Sequence, residues 1–393
     1  MSHYSTIFRQ VLNMIPRRQF NYEATKGKYN KYTKHFTVWN QFVVNLYSQI
    51  AGKNSLRDVI SGLFVNQNAW HYLGLKNISR SQLSYSNKNR NYEIFKNLYY
   101  HLQEKCAGYI GPKKFRFKNP LYALDSSTVS LCLSVFPWAK FRKRKGALKL
   151  HTLLDLKTTI PAFITVTDGK KHDVRAAKES ELPISRDSII VFDKAYIDYK
   201  WLYSLHKKDI FFVTRMKNNM DFEILGQHKS ITHRKIYDDF AITLLNENSF
   251  EKYPEELRII DFYDEETDTE LHFLTNNFKL AASTIANIYK ARWQIELFFK
   301  WIKQNLKIKT FLGTSENAVL TQIWTAMIYY LLLAYIKFQT KLSYSLLHFT
   351  RNIKESLFKN MDIIDILSIN PNKGKKPREP DRQRPLFNSK DFS

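Results

Sequence analysis

The sequence predicts an α/β protein in which a mixed-sheet core is preceded by an α-helical domain and interrupted by a β-rich insertion. Three observations predict this fold class. Apolar residues recur at helical spacing within residues 1–115. Short strand-like runs follow one another from Leu121 onward. An acidic stretch, residues 221–270, then separates the last core strands from a long helical segment.

The first 115 residues predict a basic helical domain. They contain 17 Lys and Arg but only four acids. Helical spacing of apolar residues is clearest around Trp39 and around Leu98. Between these lies the segment Ile78–Arg90, in which short polar residues alternate with bases, as in a DNA-reading helix that follows a turn. Arg80 is its candidate DNA contact, and an ordinary amphipathic helix is the alternative.

The next segment predicts an α/β core by the order of its elements. Three strand-like runs come first, a helix follows after Asp173, and strand, helix and strand complete the series. The predicted strands are Leu121–Leu131, Leu148–Leu156, Ala162–Thr167, Ile189–Phe192 and Ile210–Thr214. This is the strand and helix order of an RNase H-like α/β core. Order alone indicates a fold and not a function.

The rest of the chain completes the domain plan. Residues 221–270 hold 14 acids against five bases and contain short alternating stretches, which predicts a β-rich insertion. One long helix is predicted over Ile285–Asn305 and an apolar helix around Thr321–Lys337. The predicted divisions are 1–115, 116–215 (first part of the core), 216–278 (insertion), 279–345 (last part of the core) and 346–393 (segment with a flexible basic tail).

Composition narrows the function classes. The 393 residues include 61 Lys and Arg against 36 Asp and Glu, a formal net charge of +25. Such an excess favours nucleic acid as partner, because each neutralised phosphate releases condensed counterions. A ribosomal or membrane-surface protein is the alternative. Only two cysteines are present, which excludes a disulfide framework and a zinc cluster built on cysteine.

Nothing in the sequence predicts export or membrane insertion. The first 20 residues lack the long apolar region of a secretory signal. The longest apolar stretch, Ala326–Ile336, has about half the length that a membrane-spanning helix needs. We expect a soluble protein that is cytoplasmic in a bacterium and associated with the nucleoid, without a membrane partner.

Three acids form the candidate catalytic set. Asp125 lies inside a predicted central strand, and Asp193 directly follows another. Acids at such places face the crevice where open α/β sheets bind ligands. Glu296 comes from the predicted long helix, where it shares one face with Tyr289, Arg292 and Lys303. Three carboxylates from three elements suit two Mg²⁺ ions, which take their other ligands from phosphate and water.

Each of these signals has a simpler alternative. An Arg–Glu pair four residues apart is a common surface feature of helices. Each aspartate alone could cap a helix or end a strand. His172 and Asp173 could be linked to a metal, but a helix N-cap is the favoured role for Asp173. The basic run that includes Arg142, Lys143 and Arg144 is expected in a loop, where it contacts the DNA backbone or is simply solvated.

The same residues carry a family resemblance. The spacing of the four helix residues, Y-x2-R-x3-E-x6-K, matches in full the signature of transposases of the insertion sequence 4 group. Leu124–Thr128 resembles the block around their first catalytic aspartate, and Asp193–Tyr196 resembles the D-x-[AG]-[YF] block at the second. The chain is therefore identified by resemblance as a DDE transposase, over most of residues 1–345.

The resemblance implies a reaction and its partners. The expected activity is cut-and-paste transposition: metal-dependent cleavage at transposon ends, with or without a hairpin, and strand transfer into target DNA. The implied partners are double-stranded DNA with terminal inverted repeats, target DNA and a second subunit in a homodimeric synaptic complex. The implied cofactor is two Mg²⁺ ions, for which Mn²⁺ can substitute. Arg292 and Lys303 would hold phosphates at the transposon end, and Tyr289 would contact the backbone beside the scissile bond.

One departure from the family concerns the hairpin step. In relatives that form a hairpin, a Trp in the insertion stacks on a flipped base. This chain has no Trp between Trp201 and Trp293, and Leu271 stands near that position. Strand alternation puts Phe273 on the same face as Leu271, so Phe273 is the base-stacking candidate, with a core residue as the alternative.

Two other functions fit parts of this pattern. A DNA-binding repressor derived from a transposase would bind ends without cutting them. A two-metal endonuclease of the same fold would cut without joining, and it would not need the complete Y-R-E-K face. The presence of all three acids favours the transposase.

Overall fold

The computed structural model describes residues 5–76, 78–107, 117–142, 145–228, 234–305 and 311–369. The chain forms two compact units. The helical unit consists of Met1–Ile110, Ser134–Trp138 and Trp301–Ser393. The sheet unit consists of Gly111–Leu133 and Ala139–Lys300. The predicted tail beyond residue 369 lies outside the described residues.

The described residues contain fifteen α-helices. In chain order they are α1 (Ile7–Asn13), α2 (Arg17–Lys26), α3 (Val38–Ala51), α4 (Leu56–Val65), α5 (Trp70–Leu73), α6 (Arg80–Asn89), α7 (Glu93–Ala107), α8 (Asp173–Glu179), α9 (Tyr199–His206), α10 (Glu247–Lys252), α11 (Ala282–Ala291), α12 (Trp293–Asn305), α13 (Glu316–Thr340), α14 (Leu346–Ser356) and α15 (Ile363–Ser368). The boundary between the two units falls inside α12.

Side-chain caps define where the N-terminal helices begin. Thr37 and Ser79 each accept a hydrogen bond from the backbone three residues ahead, and a side chain there bonds back, which makes two capping boxes. The apolar positions predicted as helical core, including Trp39 and Leu98, are all buried. The helical secondary structure and the buried apolar positions predicted for the first 115 residues are therefore confirmed over the described part of that range.

Helix α13 is the central helix of the helical unit. It contacts α7, α3 and α6. Its 25 residues are long and apolar enough to cross a membrane, but 94% of its most apolar window is buried inside the protein. The apolar surface of α13 is therefore covered by the helices around it, as in a core helix.

Ten strands form one mixed sheet in the sheet unit. They are β1 (Leu121–Leu131), β2 (Lys140–Arg142), β3 (Lys145–Asp155), β4 (Pro161–Asp168), β5 (Ile189–Phe192), β6 (Phe211–Arg215), β7 (Phe222–Gln227), β8 (Ile236–Leu244), β9 (Leu257–Asp264) and β10 (Thr269–Thr275). Their order across the sheet is β2-β3-β1-β5-β6-β10-β9-β8-β7, with β4 also paired to β3.

The topology confirms the RNase H-like core. Strand β1 pairs antiparallel with β3 and parallel with β5, and β5 pairs parallel with β6. Helices α8 and α9 fall between strands, as predicted. The β-rich insertion does not form a separate sheet. It continues the core sheet because β10 pairs with β6.

One predicted loop contains a short strand. The basic run before β3 was expected as a loop, but its residues Lys140–Arg142 pair with the beginning of β3 as β2. Lys143 and Arg144 lie outside the described residues. This run is short and highly charged, so it has no apolar pattern that would predict a strand. It forms a strand by pairing with β3.

Candidate active site

Two aspartates lie side by side in the sheet. Leu124 of β1 is in register with Phe192, the last residue of the parallel strand β5. Asp125 follows Leu124 within β1, and Asp193 directly follows the end of β5. Because the two strands are parallel, both aspartates lie at the carboxyl end of the β1–β5 pairing. Asp193 also caps the 3₁₀ turn Lys194–Tyr196, where it accepts a hydrogen bond from the backbone N–H of Ala195 at 3.0 Å.

Asp125 is the more deeply placed of the two acids. Its side chain is 23% exposed. Burial raises the pKa of Asp125 to about 6, although the Ser126 backbone N–H, 2.7 Å away, and the charge of Arg292 both act to lower it. The negative charges of Glu296 and Asp173 add to the increase. Burial therefore disfavours the ionised carboxylate by more than the Ser126 N–H and the charge of Arg292 offset.

Arg292 links two of the three predicted acids. Its Nη2 donates a hydrogen bond to Glu296 Oε1 at 2.7 Å, and its Nη1 lies 3.9 Å from Asp125 Oδ2. The guanidinium is 15% exposed, and its buried Nε has no hydrogen-bond partner among the described residues. The positive charge of Arg292 therefore lies close to both Asp125 of β1 and Glu296 of α12.

The sequence predicted one continuous helix over Ile285–Asn305, but the structure has two. Helix α11 ends at Ala291 and α12 begins at Trp293. The backbone N–H groups of Arg292 and Ile295 donate to carbonyls three residues back rather than four. Such bonds tighten the turn, so the prediction of one straight helix was wrong at Arg292. Glu296 lies in the first turn of α12.

Tyr289 packs on the sheet beside Arg292. It is 8% exposed, and its ring lies 4.9 Å from that of Phe273 between centroids. The Arg292 guanidinium lies 5.6 Å from the Tyr289 ring centroid. Burial raises the pKa of Tyr289, so its hydroxyl stays protonated at neutral pH.

Phe273 is a core residue, which corrects the base-stacking prediction. It has no exposed surface and lies against the rings of Phe262 and Tyr289. No face of the ring is free to receive a base. A different aromatic residue is exposed at the beginning of α12: Trp293, which directly follows Arg292, is 56% exposed.

The remaining predicted contacts are more scattered. Lys303 lies on α12 about two turns after Glu296 and is partly exposed. Arg80 is exposed at the first position of α6. Arg142 is the last residue of β2. Lys143 and Arg144 lie outside the described residues.

A polar network behind Asp125 was missed in the sequence. Asp173 accepts hydrogen bonds from Ser126 Oγ at 2.6 Å and from Lys149 Nζ at 3.1 Å. The predicted N-cap role of Asp173 was wrong, since His172 occupies the cap position and Asp173 points toward the sheet. Burial lowers the pKa of His151 to about 4, so His151 is neutral although its Nδ1 lies 3.6 Å from Asp173. Polar residues inside the otherwise apolar strand β3 were the available signal.

The donor chemistry fits a divalent cation. Within the described ranges, no group of three or more His, Cys, Asp or Glu side chains could hold a metal ion as it stands. Two aspartates nevertheless lie side by side, and Arg292 joins one of them to Glu296. All three donate oxygen, which hard cations prefer, and the raised pKa of Asp125 marks a carboxylate that needs further positive charge.

Comparison with known families gives two matches, which together cover most of the chain. Residues 116–332, which include all three acids, match the family described as "Transposase DDE domain". Residues 3–76 match a "Domain of unknown function (DUF4372)". The catalytic match thus spans β1 to α13, while the other family covers α1 to α5.

Curated relatives are transposases by name. "Putative transposase y4zB" of Sinorhizobium fredii is 34% identical over 250 residues, 63% of this chain and 69% of that protein. "Probable transposase for insertion sequence element IS5377" of Geobacillus stearothermophilus is 32% identical over 287 residues, 71% of this chain and 74% of that protein. "Putative transposase for insertion sequence element IS4SA" of a Synechocystis strain is 26% identical over 260 residues, 64% of this chain and 70% of that protein.

The aligned aspartates, the acid on the neighbouring helix and these matches agree with one another. The chain belongs to the DDE transposase family, whose members cleave DNA strands and transfer them.

Proposed function

We propose that this enzyme is an insertion-sequence transposase that cuts at its transposon ends and joins them to target DNA at Asp125, Asp193 and Glu296. The observation that carries this assignment is the register of β1 and β5, which brings the two aspartates together, with Arg292 joining Asp125 to Glu296. Three carboxylates from two strands and one helix are what two-metal phosphoryl chemistry needs.

DDE transposases use divalent metal ions. We propose Mg²⁺, with Mn²⁺ as a substitute, held as two ions by the three acids. When bound, such ions activate water or a 3′-hydroxyl and stabilise the leaving oxygen. Residues of the chain then have separate tasks. Asp125 follows Leu124 in β1, and Asp193 follows Phe192, the partner of Leu124 in β5. Ser126 Oγ and Lys149 Nζ donate hydrogen bonds to Asp173, the acid near Asp125 that this proposal does not place on the metal.

Arg292 has two successive partners in this proposal. Without DNA it neutralises Glu296 and part of the charge of Asp125. With a cation on those carboxylates, the guanidinium would be free to bind phosphate at the transposon end, where its planar fork suits two oxygens. Lys303 would hold a second phosphate, and Tyr289 would limit the movement of Arg292 beside the scissile bond.

The other parts of the chain support recognition and assembly. Residues 1–115 are proposed as the DNA-binding domain. The core is proposed over 116–215 and 279–300, with the insertion at 216–278. Residues 301–393, which were predicted partly as core (to 345) and partly as a terminal segment (346–393), belong to the compact helical unit. The proposed substrates are double-stranded ends with terminal inverted repeats and a target duplex. A homodimer would pair the two ends, in a bacterial cytoplasm and at the nucleoid.

A strand-transfer assay tests the proposal. Purified enzyme is incubated with Mg²⁺, a labelled duplex taken from the DNA that flanks the reading frame, and a target plasmid. We expect cleavage and joining with the parent protein, and loss of both with Asp125→Ala, Asp193→Ala or Glu296→Ala, while end binding stays within about threefold. Full cleavage by any of the three variants would overturn the assignment. Binding without cleavage by the parent would indicate a repressor, and cleavage without joining an endonuclease.

A further inference from the structure

Helix α6 has one continuous polar face without an acidic residue. Its exposed positions follow helical spacing, so they lie on one side of the helix. They are Arg80, Ser81, Ser84, Tyr85, Lys88 and Asn89. Every one of these side chains has a group that can hydrogen-bond to a base edge or a phosphate. Tyr85 is 70% exposed, although nothing in the helix requires an exposed aromatic residue there.

The exposed face of α6 is a ridge between two concave surfaces. One concavity is lined by α6 and by Lys28, Lys31 and Lys34. The other is lined by α6 and by residues at the beginning of α4, including Arg57. A helix that enters the major groove needs room on each side for the two strands that border the groove. The two concavities provide that room.

A basic loop, residues 27–36, forms the wall of the first concavity. It contains three lysines and no acid. Its backbone is left-handed at Lys28 (φ 54°) and at Tyr32 (φ 59°), a conformation that residues other than glycine seldom adopt. Tyr32 is 91% exposed, and the Lys31 ammonium lies 4.9 Å from its ring centroid. The loop keeps a costly backbone and an exposed ring, so its shape is not explained by core packing.

Arg90 joins the basic loop to α6. It follows the last residue of the helix and donates hydrogen bonds to Thr33 Oγ1 at 3.0 Å and to the Phe36 carbonyl. It also donates to Gln41 Oε1 of α3 at 3.3 Å. Burial lowers the pKa of Arg90, and its donors are used inside the protein. Arg90 therefore fixes the loop relative to the helix.

The helix itself is anchored from its buried side. The Asn87 side-chain carbonyl accepts hydrogen bonds from Gln41 at 3.0 Å and from Asn45 at 2.9 Å. These amides are buried, so leaving one unpaired would cost stability. The polar face of α6 and the lysines of the basic loop are consequently held in one fixed arrangement.

We infer that α6 and the basic loop form one surface for the double-stranded transposon end. Helix α6 reads base edges in the major groove, while Lys28, Lys31 and Lys34 hold phosphates of a strand that borders the groove. The inference rests on the proposed function and extends it. It gives the loop, within the region that matches a domain of unknown function, the task of backbone contact.

Two charge-matched variants test the loop. One carries Lys28→Gln, Lys31→Gln and Lys34→Gln. The control carries Arg351→Gln, Lys354→Gln and Lys359→Gln, which removes three exposed charges of the same unit that line neither concavity. Fluorescence anisotropy gives Kd from 50 to 200 mM salt for a duplex of the flanking end sequence and for a scrambled duplex.

We expect the loop variant to bind both duplexes at least about tenfold more weakly at 50 mM salt. Its slope of log Kd against log salt should fall by about two to three, since each lost phosphate contact removes about 0.9. The control should keep the parent slope within about half a unit. Equal slopes for the two variants would overturn the loop assignment.

A third variant tests the reading helix. Ser81→Ala with Ser84→Ala removes two hydroxyls and no charge. We expect its preference for the end over the scrambled duplex to fall about five- to tenfold, with the salt slope unchanged. An unchanged preference would overturn the role of α6. Strand cleavage by the parent and its loss in Asp125→Ala are measured separately, so failure of this surface leaves the proposed activity standing.

Discussion

Arg292 connects the electrostatics of the site to its chemistry. It contacts two of the acids that the family resemblance singled out, and it is one of the least exposed charged groups beside them. Without DNA or a cation, this guanidinium reduces the mutual repulsion of Asp125 and Glu296. Its buried Nε without a partner among the described residues is consistent with a group that completes its hydrogen bonds only when a ligand arrives.

The phosphate role of Arg292 and Lys303 makes a prediction in binding experiments. Arg292→Ala and Lys303→Ala should each weaken binding to the end duplex and reduce its salt slope by about one. Anisotropy titrations at four salt concentrations measure both quantities. Unchanged slopes for both variants would mean that these side chains serve the fold, with Arg292 acting only as the partner of Glu296.

The raised pKa of Asp125 makes a prediction about stability. Burial raises it to about 6, above the value of about 4 in an unfolded chain. Between pH 4 and 6 the folded protein binds more protons than the unfolded chain, so stability falls as pH rises through this range. In metal-free protein at pH 7.5, we expect Asp125→Asn to raise the free energy of unfolding by about 1–3 kcal/mol.

Urea denaturation in the presence of a chelator measures this effect. The gain should shrink as pH falls below 6 and disappear below about pH 3, where Asp125 is mostly neutral in both states. Asp198→Asn is the opposite control, because Lys178 and the N-cap position hold the pKa of Asp198 below its usual value. That variant should lower stability at pH 7.5. A loss of stability with Asp125→Asn would contradict the account of a carboxylate short of positive charge.

At the scale of elements, the core strands with an apolar pattern were predictable, whereas the charged strand β2 and the geometry of the helices were not. Strands β1 and β5 begin and end where their apolar patterns begin and end. The break at Arg292 leaves no trace in an apolar pattern, because two consecutive helices have nearly the same period as one. Likewise, alternation placed Phe273 on a face of its strand but could not tell that α11 covers that face.

The acidic insertion is partly explained by pairs within the sheet unit. Arg258 is fully buried and forms a two-pronged ion pair with Asp239, at 2.7 Å for each bond. The same guanidinium donates to the carbonyls of Asn277 and Leu280, which lead into α11. Asp264 pairs with Lys290 of α11. Two of the acids thus connect the insertion to α11, Asp264 directly through Lys290 and Asp239 through Arg258.

The burial of Phe273 predicts a structural rather than a catalytic effect. Phe273→Ala should lower the free energy of unfolding by about 3–5 kcal/mol, because the cavity would lie between Phe262 and Tyr289. Trp293→Ala is the matched control, since this exposed aromatic should change stability by only about 0.5 kcal/mol. Thermal and urea denaturation measure both. A stable Phe273→Ala protein that fails only in hairpin formation would restore the base-stacking role.

For the whole molecule, the sequence predicted the secondary-structure elements better than the long-range hydrogen bonds between their side chains. The core order, the helical domain and the β-rich insertion follow from local patterns, and the two aspartates follow from where strands lie. The hydrogen bonds that Ser126 and Lys149 donate to Asp173, near Asp125, depend on the pairing of β1 with β3 and on the position of α8. Such long-range arrangements are set by the assembled sheet and are not encoded in any single stretch.

The net charge of +25 belongs to the whole chain, but the distribution of the charged residues determines which surface can bind DNA. Bases dominate residues 1–115, while the insertion is acidic. Binding driven by general charge would respond equally to the loss of any three cations. Binding through the surface of α6 and the basic loop would not, which the charge-matched variants separate.

The central claim is that three carboxylates act together by holding metal ions during strand transfer. Its most direct test replaces Asp125, Asp193 or Glu296 by Cys, one at a time, and compares strand transfer in Mg²⁺ and in Mn²⁺. A thiolate binds Mg²⁺ poorly and the softer Mn²⁺ better. We expect no joined product in Mg²⁺ and at least a tenfold recovery in Mn²⁺ for one or more of the variants, with Asp198→Cys active in both. Full activity of a Cys variant in Mg²⁺ would contradict the claim.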